Sequence, residues 1–477
     1  MSQPSPLRWR ALVILALAQF MVIMDTSIIG VALPEIGADL GFAQADLSWV
    51  FNAYVIAFGG LLLLGGKLSD VFGARPLFLI GFAILTGASV LAGLADAPGV
   101  LIASRALQGV GAALIAPTSL AMLMQLFGHD PRELTKALAL YGAAAPAGGT
   151  AGVFLGGVLT ESLSWPWVFY VNIPVGLAVL ALAPRWCPMG MRGRGKIDVA
   201  GALTITASLS LIVFGIVRGP EVGWSEGDVA GTLLAGVALL GLFVGIQRLR
   251  RDPLMPLGIF RTPNLAAANL AMALLGAAWV PMWFFLNLYL QQVLGYGPFG
   301  SGAALLPMTI VMMILMVGFT ERVVRRFGFR STLSVGLTVL AAGLGLLSLV
   351  SAGGSFTGDV LLGSLVAAVG MSLAYIPAMF AAMSGAKPAE AGLASGIVNT
   401  TYQIGSALGL AAMTAVATSN GAGQIGNPAA LVDGFSSAFV GAAVIALVGA
   451  LVGVALIRRP NVEVPDVETE AAQPVAA

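Results

Sequence analysis

The chain alternates long stretches almost free of charge with short segments in which charged residues, proline and glycine gather. The apolar stretches are continuous and show no period of two, so they predict helices rather than the alternating strands of a membrane barrel. A helix crosses a bilayer with roughly 20 mostly apolar residues. Breaking the chain at its polar segments predicts fourteen spans, near 10–33, 47–66, 76–95, 99–127, 135–159, 166–184, 199–217, 229–247, 265–292, 300–319, 331–352, 359–381, 391–418 and 435–457. The first run follows Arg8 and Arg10 but continues to Pro34 without a small-residue cleavage site, so it reads as a retained span and not a secretory signal.

Composition agrees with that pattern. Of 477 residues, 58% are hydrophobic and 9% charged, whereas a water-soluble domain carries about 25% charged residues. The chain reads as an all-α integral membrane protein whose constant partner is the lipid bilayer. A net charge of +1 offers no footprint for nucleic acid. One Cys and one His leave neither an internal disulfide nor a Cys/His metal cluster. No cofactor motif, Walker sequence or nucleophile–base constellation stands out, so neither enzyme chemistry nor ATP hydrolysis by this chain is expected.

Basic residues fix the topology. Placing the N-terminus in the cytoplasm puts 21 of the 23 Lys and Arg residues on that side, including Arg8 and Arg10 at one end and Arg458 and Arg459 at the other. The opposite loops hold only Arg218, and Arg105 lies within a span. One helix missed or invented would switch every later loop to the wrong side and erase the asymmetry. The expectation is a multi-pass protein of the plasma membrane with both termini cytoplasmic.

The two halves echo each other. "FGARPLFLIG" (72–81) recurs as "FGFRSTLSVG" (327–336), an offset of 255. Ser104 and Pro117 match Ser364 and Pro377 at 260, and Gly148 and Gly152 match Gly405 and Gly409 at 257. Three near-equal offsets in order predict two pseudo-symmetric six-helix bundles, 1–190 and 256–460. An inserted helix pair lies between them at 191–255, and the polar, acidic tail 461–477 is expected to be disordered. Paired repeats of this kind suit a carrier that rocks about a central interface.

Two ionisable groups remain clearly inside spans, Asp25 in span 1 and Arg105 in span 4. Counted inward from Pro34 and Pro98, they lie ~14 Å and ~10 Å deep. Each costs ~2.5–3.5 kcal/mol at a helix centre, which an opposite charge nearby lowers. Two readings follow: a structural ion pair joining spans 1 and 4, or a carboxylate at Asp25 that exchanges a proton, with Arg105 favouring its charged form. Polar or adaptable residues elsewhere in the spans are Gln19, Asn52, Gln108, Tyr375, Asn399 and Gln403. Trp279, Trp283, Asn287 and Gln291 recur every fourth position in span 9, as do Met308, Met312 and Met316 in span 10. Such faces either pack between helices or line a cavity that accepts varied apolar ligands.

These motifs resemble the major facilitator superfamily, in its fourteen-span drug:proton antiporter branch, over nearly the whole chain. "MDTSIIGVALP" (24–34) resembles the branch's first-helix signature, whose Asp falls on Asp25. "GKLSDVFGARP" (66–76) resembles the loop motif between spans 2 and 3, with Gly66, Asp70, Gly73 and Arg75 matching and Lys67 beside them. "RALQGVGAA" (105–113) is similar to the span 4 motif and places the family's proton-coupling arginine on Arg105. "WVFYVNIPVG" (167–176) and "GLASGIVNTTYQIGSALGLA" (392–411) resemble the signatures of spans 6 and 13. In span 5, "GGTAGVFLGG" carries Gly148, Gly152, Gly156 and Gly157 but has Val153 where the antiporter motif has proline. Ser27 stands for Thr, Gly30 for Asn, Val71 for a basic residue, and Arg325 for the second half's Asp.

The resemblance implies a monomer that exports a small amphipathic or hydrophobic compound in exchange for protons. Asp25 and Arg105 carry the coupling, and the loop motif acts as a cytoplasmic gate. Spans 1, 4, 9 and 12 line the cavity, flanked by 2, 5, 10 and 13. Val153 keeps a metabolite uniporter or symporter open, and a non-transporting membrane receptor or scaffold is the reading from another class.

Overall fold

The computed structural model describes residues 7–128, 131–189, 198–251, 253–383 and 391–458. Among them every regular element is helical. In chain order these are α1 (Arg8–Leu40), α2 (Ser48–Phe72), α3 (Ala74–Gly93), α4 (Pro98–Phe127), α5 (Pro131–Ser162), α6 (Trp167–Tyr170), α7 (Asn172–Trp186) and α8 (Val199–Val222). There follow α9 (Gly227–Leu249), α10 (Leu265–Leu288), α11 (Pro298–Gly318), α12 (Thr320–Leu347), α13 (Leu361–Met383), α14 (Ala391–Ala417) and α15 (Pro428–Leu456). Among the described residues thirteen spans are long and apolar enough to cross a membrane. The long helix α14 is outside that set, and its middle reads Asn-Thr-Thr-Tyr-Gln at 399–403. The tail 461–477, the linker segment 190–197 and the side chain of Asp70 lie outside the described residues.

Helices α12 and α15 begin earlier than expected, at Thr320 and Pro428, and two other departures bear on the site. Helix α1 runs through Pro34 and stops only at Gly41, which closes it in a left-handed conformation at φ 71°. Packing on its neighbours outweighs the backbone bond lost at proline, and Asp39 in the added segment accepts a bond from Trp165 Nε1 at 2.8 Å. Asp25 therefore lies ~22 Å from the true helix end, not ~14 Å. Span 6 is broken at Val171 into α6 and α7. Pro174 explains the break, because it has no N–H to give and its ring would crowd the Tyr170 carbonyl in a continuous helix.

The sequence echo has matched local structure. Gly73, between α2 and α3, has φ 93° and ψ 148°, and Gly328, inside α12, has φ 78° and ψ 159°. Few L side chains adopt that backbone, which is why glycine stands at both. Two residues on, Arg75 donates to the carbonyls of Pro184 at 2.9 Å and Cys187 at 3.2 Å, at the end of α7. Its counterpart Arg330 donates to the carbonyl of Val454, near the end of α15. Likewise α5 packs its glycines on α1 as α14 packs Gly405 and Gly409 on α10.

Buried apolar residues form two clusters. One joins α1 up to Val22 with parts of α2 to α5, α7 to α9 and α14; the other takes α1 from Ile28 onward with parts of α2 to α6 and of α10 to α15. Asp25 falls in the interval between them. Helix α8 packs on both α2 and α14, and α9 packs on α8. Asp198 fastens this pair: it caps α8 through Gly201 N at 2.8 Å, accepts from Gln247 Nε2 of α9 at 2.6 Å, and pairs with Arg250 at 3.3 Å.

Candidate functional site

Helix α4 carries Arg105 and Gln108 one turn apart, so both side chains emerge on one face toward α1. Arg105 Nη1 donates to Asp25 Oδ2 at 2.6 Å and to Gln108 Oε1 at 2.8 Å, and its Nε donates to the Val50 carbonyl of α2 at 2.9 Å. Gln108 Nε2 donates in turn to Asp25 Oδ1 at 3.1 Å and to Ser89 Oγ of α3 at 2.8 Å. A third donor comes from the first residue of α7, where Asn172 Nδ2 lies 2.6 Å from Asp25 Oδ1. The Tyr54 ring of α2 lies below the guanidinium, 4.6 Å from Arg105 Cζ to the ring centroid. Asp25, Arg105, Gln108, Asn172 and Ser89 are all fully buried.

The carboxylate thus receives three donors, one of them cationic, from α4 and α7, with α2 and α3 supporting the arginine and the glutamine. Charge-assisted bonds of this kind are about twice as strong as neutral ones. They offset the cost of removing both ions from water. Helix α1 is held in place by α5: a side chain at Gly148 would meet the Phe20 carbonyl, and one at Gly152 would meet the backbone at Met24 and Ile28. These two close approaches bracket Asp25. Gly156 continues the contact at the Ile28 carbonyl, while Gly157 faces Pro298 and Phe299 of α11.

Other expected site residues fall in separate places. Gln19 Oε1 accepts from Tyr141 OH at 3.0 Å, and that hydroxyl lies 2.8 Å from Ser119 Oγ. Asn52 is fully buried, and neither of its amide atoms has a hydrogen-bond partner among the described residues. Trp283 packs its ring into the space left by Gly30, so the Asn-to-Gly departure in α1 is filled from α10. Trp279 and Met308 are buried; Met312 is half-buried. Asn287 Nδ2 donates to its own helix at Trp283 O, 2.9 Å away. Tyr375 OH donates to Asn399 Oδ1 at 3.3 Å, and its ring meets Tyr402 edge-on at 5.6 Å. Gln403 packs on Gly59 of α2. Gly66 and Lys67 lie near the end of α2, with Gly73 and Arg75 at the turn described above. Arg75 is bound by α7 within its own half.

Contacts between 8–186 and 265–456 include four hydrogen bonds toward the face opposite the chain termini. Gln44 and Gln292 exchange amide bonds at 3.1 and 3.3 Å, Gln291 Nε2 donates to Val31 O at 2.8 Å, and Phe299 N donates to Glu161 Oε2 at 2.8 Å. Asn172, Ser89 and Tyr54 escaped the sequence reading. Asn172 lay inside the quoted span 6 motif, and its position before Pro174 was a usable signal; Ser89 and Tyr54 carried none.

This constellation sits in a chain whose residues 15–410 match the Major Facilitator Superfamily. The chain belongs to that superfamily. It is a membrane transporter and not an enzyme. It is 42% identical over 444 residues to the cephamycin export protein CmcT of Amycolatopsis lactamdurans, covering 92% of this chain and 90% of that one. It is 36% identical over 439 residues to the puromycin resistance protein pur8 of Streptomyces alboniger, covering 90% and 87%. Among solved structures, a POT family transporter in complex with a thioalcohol-conjugated peptide superposes with a TM-score of 0.69 at 15% identity, covering 93% and 95% of the two chains. At that identity the likeness shows the fold alone.

Proposed function

We propose that this transporter exports a small amphipathic or hydrophobic compound of the antibiotic or drug class in exchange for protons, by alternating access. The observation that carries the reading is the fully buried Asp25–Arg105 pair at 2.6 Å, set between the two apolar clusters. A charge pair in that position is expensive unless it works. The names of the relatives, which include cephamycin export and puromycin resistance, support the substrate class.

In this reading fourteen spans place both termini in the cytoplasm of a plasma-membrane protein that acts as a monomer. Two six-helix units, with α8 and α9 between them, rock about a cavity lined by α1, α4, α10 and α13. The four hydrogen bonds toward the face away from the termini hold that face closed. A proton on Asp25 neutralises the carboxylate and weakens its attraction to Arg105, so α1 and α4 separate more easily. Substrate favours the charged form, and the differential affinity of the two conformations couples the two flows. The loop glycines, Lys67, Asp70 and Arg75 control closure on the terminal face.

The test is transport of puromycin and of a cephamycin in proteoliposomes under an imposed pH gradient. Accumulation that collapses with a protonophore and is lost in Asp25→Asn supports the reading. Unchanged gradient-driven transport by Asp25→Asn refutes the coupling role. Absence of flux for a wide compound panel refutes export.

A further inference from the structure

We infer that Asn172 is the positioning residue that follows the proton on Asp25, by turning its amide end for end when the carboxylate is protonated. This rests on the reading of Asp25 as the proton-exchanging group.

Two amides touch Asp25 Oδ1, and only one of them is free to turn. Gln108 is locked: its Oε1 accepts from Arg105 Nη1 and its Nε2 donates to both Asp25 and Ser89. Turning it would aim an N–H at the guanidinium. Asn172 has no such constraint. Its Nδ2 faces Asp25 Oδ1, its Oδ1 has no partner among the described residues, and its second contact, to Ser89 Oγ, is long at 3.5 Å. A half-turn about its terminal bond puts the amide oxygen where Nδ2 stands, 2.6 Å from Asp25 Oδ1. That separation suits an O–H···O bond, whose range is about 2.5–3.0 Å.

The proton comes from water on the open side, adds to Oδ1, and the new O–H donates to the turned Asn172; on release the proton returns to water and the amide turns back. One side chain thereby satisfies both states without moving α7. The break at Val171 makes this possible, because it sets Asn172 in the first turn of α7, pointing at α1. Around Asp25 the charged and titratable groups are Arg105 of α4 and Tyr54 of α2. Ser89 of α3 is neutral, and among the described residues the facing parts of α5, α10 and α11 carry no charge.

Infrared difference spectroscopy of the full chain in liposomes, without substrate, tests this against pH. The carboxylic-acid C=O band that Asp25→Asn abolishes reports the protonated site. Expected in the native chain is a band at the low frequency of an acid whose O–H is hydrogen-bonded, accompanied by an amide C=O change with the same midpoint. Asn172→Leu, which loses donor and acceptor, should raise the band's frequency and move its midpoint to higher pH. The shift should be several-fold in proton affinity, because the charge-assisted bond lost by the carboxylate outweighs the neutral bond lost by the acid. Asn172→Ser keeps a donor and an acceptor on a shorter stem, so its shift should be smaller than that of Asn172→Leu. An unmoved midpoint and frequency in Asn172→Leu overturn the inference while leaving proton exchange at Asp25 standing. If the leucine variant does not fold, a free-acid frequency in the native chain overturns it. No Asp25-dependent band at any pH sinks the underlying reading instead.

Discussion

Breaking the buried pair is the perturbation with the largest expected cost. Asp25 and Arg105 are fully buried and 2.6 Å apart. Two unit charges about 4 Å apart attract by about 4 kcal/mol at an effective dielectric near 20. Asp25→Asn leaves Arg105 with the Val50 carbonyl, Gln108 and the Tyr54 ring but no counter-ion. Arg105→Gln leaves the carboxylate with two amides and removes the side-chain donor from the Val50 carbonyl. Each single change should destabilise the fold by about 3–5 kcal/mol, because the surviving ion stays buried without compensation. The double variant buries no charge, so it should recover a coupling of about 2 kcal/mol or more relative to the sum of the singles. Unfolding can be followed in mixed micelles of dodecyl maltoside titrated with sodium dodecyl sulfate, reading exposure of Cys187, the chain's one cysteine and a buried thiol. Losses that add to within ~0.5 kcal/mol would refute the pair as an energetic unit. Rescue of the fold without rescue of transport would separate stability from coupling.

Three further outcomes follow from the geometry. Burial pushes the Cys187 thiol up to about 11 from 9.0, against the opposing pull of Arg75; its stabilising contribution is full below pH 9 and fades as pH rises toward 11, so maleimide labelling of the folded protein should be slow at pH 8 and climb steeply above pH 10. Gly30→Asn puts atoms into the Trp283 ring, so it should cut transport several-fold in liposome flux assays, and the partner change Trp283→Ala should restore part of it; no interaction between the two changes would dismiss that contact. Asp198→Ala removes the cap of α8 and its link to Gln247, which should cost about 1–3 kcal/mol and speed amide exchange in the first turn of α8 by hydrogen-exchange mass spectrometry.

Much of the fold was legible because its driving force is local. Apolar runs, Pro98 and Pro298 at helix starts, and the paired glycines Gly73 and Gly328 mark their elements without reference to distant residues. The limits of local reading show at Pro34 and Val171. At the first, packing carried α1 past a proline that normally ends a helix; at the second, Pro174 broke a run whose hydropathy was unbroken. The stripe on α10 shows the same limit. Its spacing put Trp283, Asn287 and Gln291 on one face, yet Trp283 and Gln291 meet α1 while Asn287 donates to its own helix and accepts from Ser301 of α11.

By itself the sequence determined that the chain lies in a membrane as helices, since a long apolar run in lipid must close its backbone bonds within itself. It also singled out Asp25 and Arg105, because a charge in such a run stands out by composition alone. Only the tertiary structure decided that these two meet, that Gln108 and Asn172 share the carboxylate, and that Asn52 meets no partner among the described residues. Asp25 is 80 residues from Arg105 and 147 from Asn172. Contacts over such separations depend on how helices cross and rotate, which is set by close approaches such as those at Gly148 and Gly152 summed over the whole bundle.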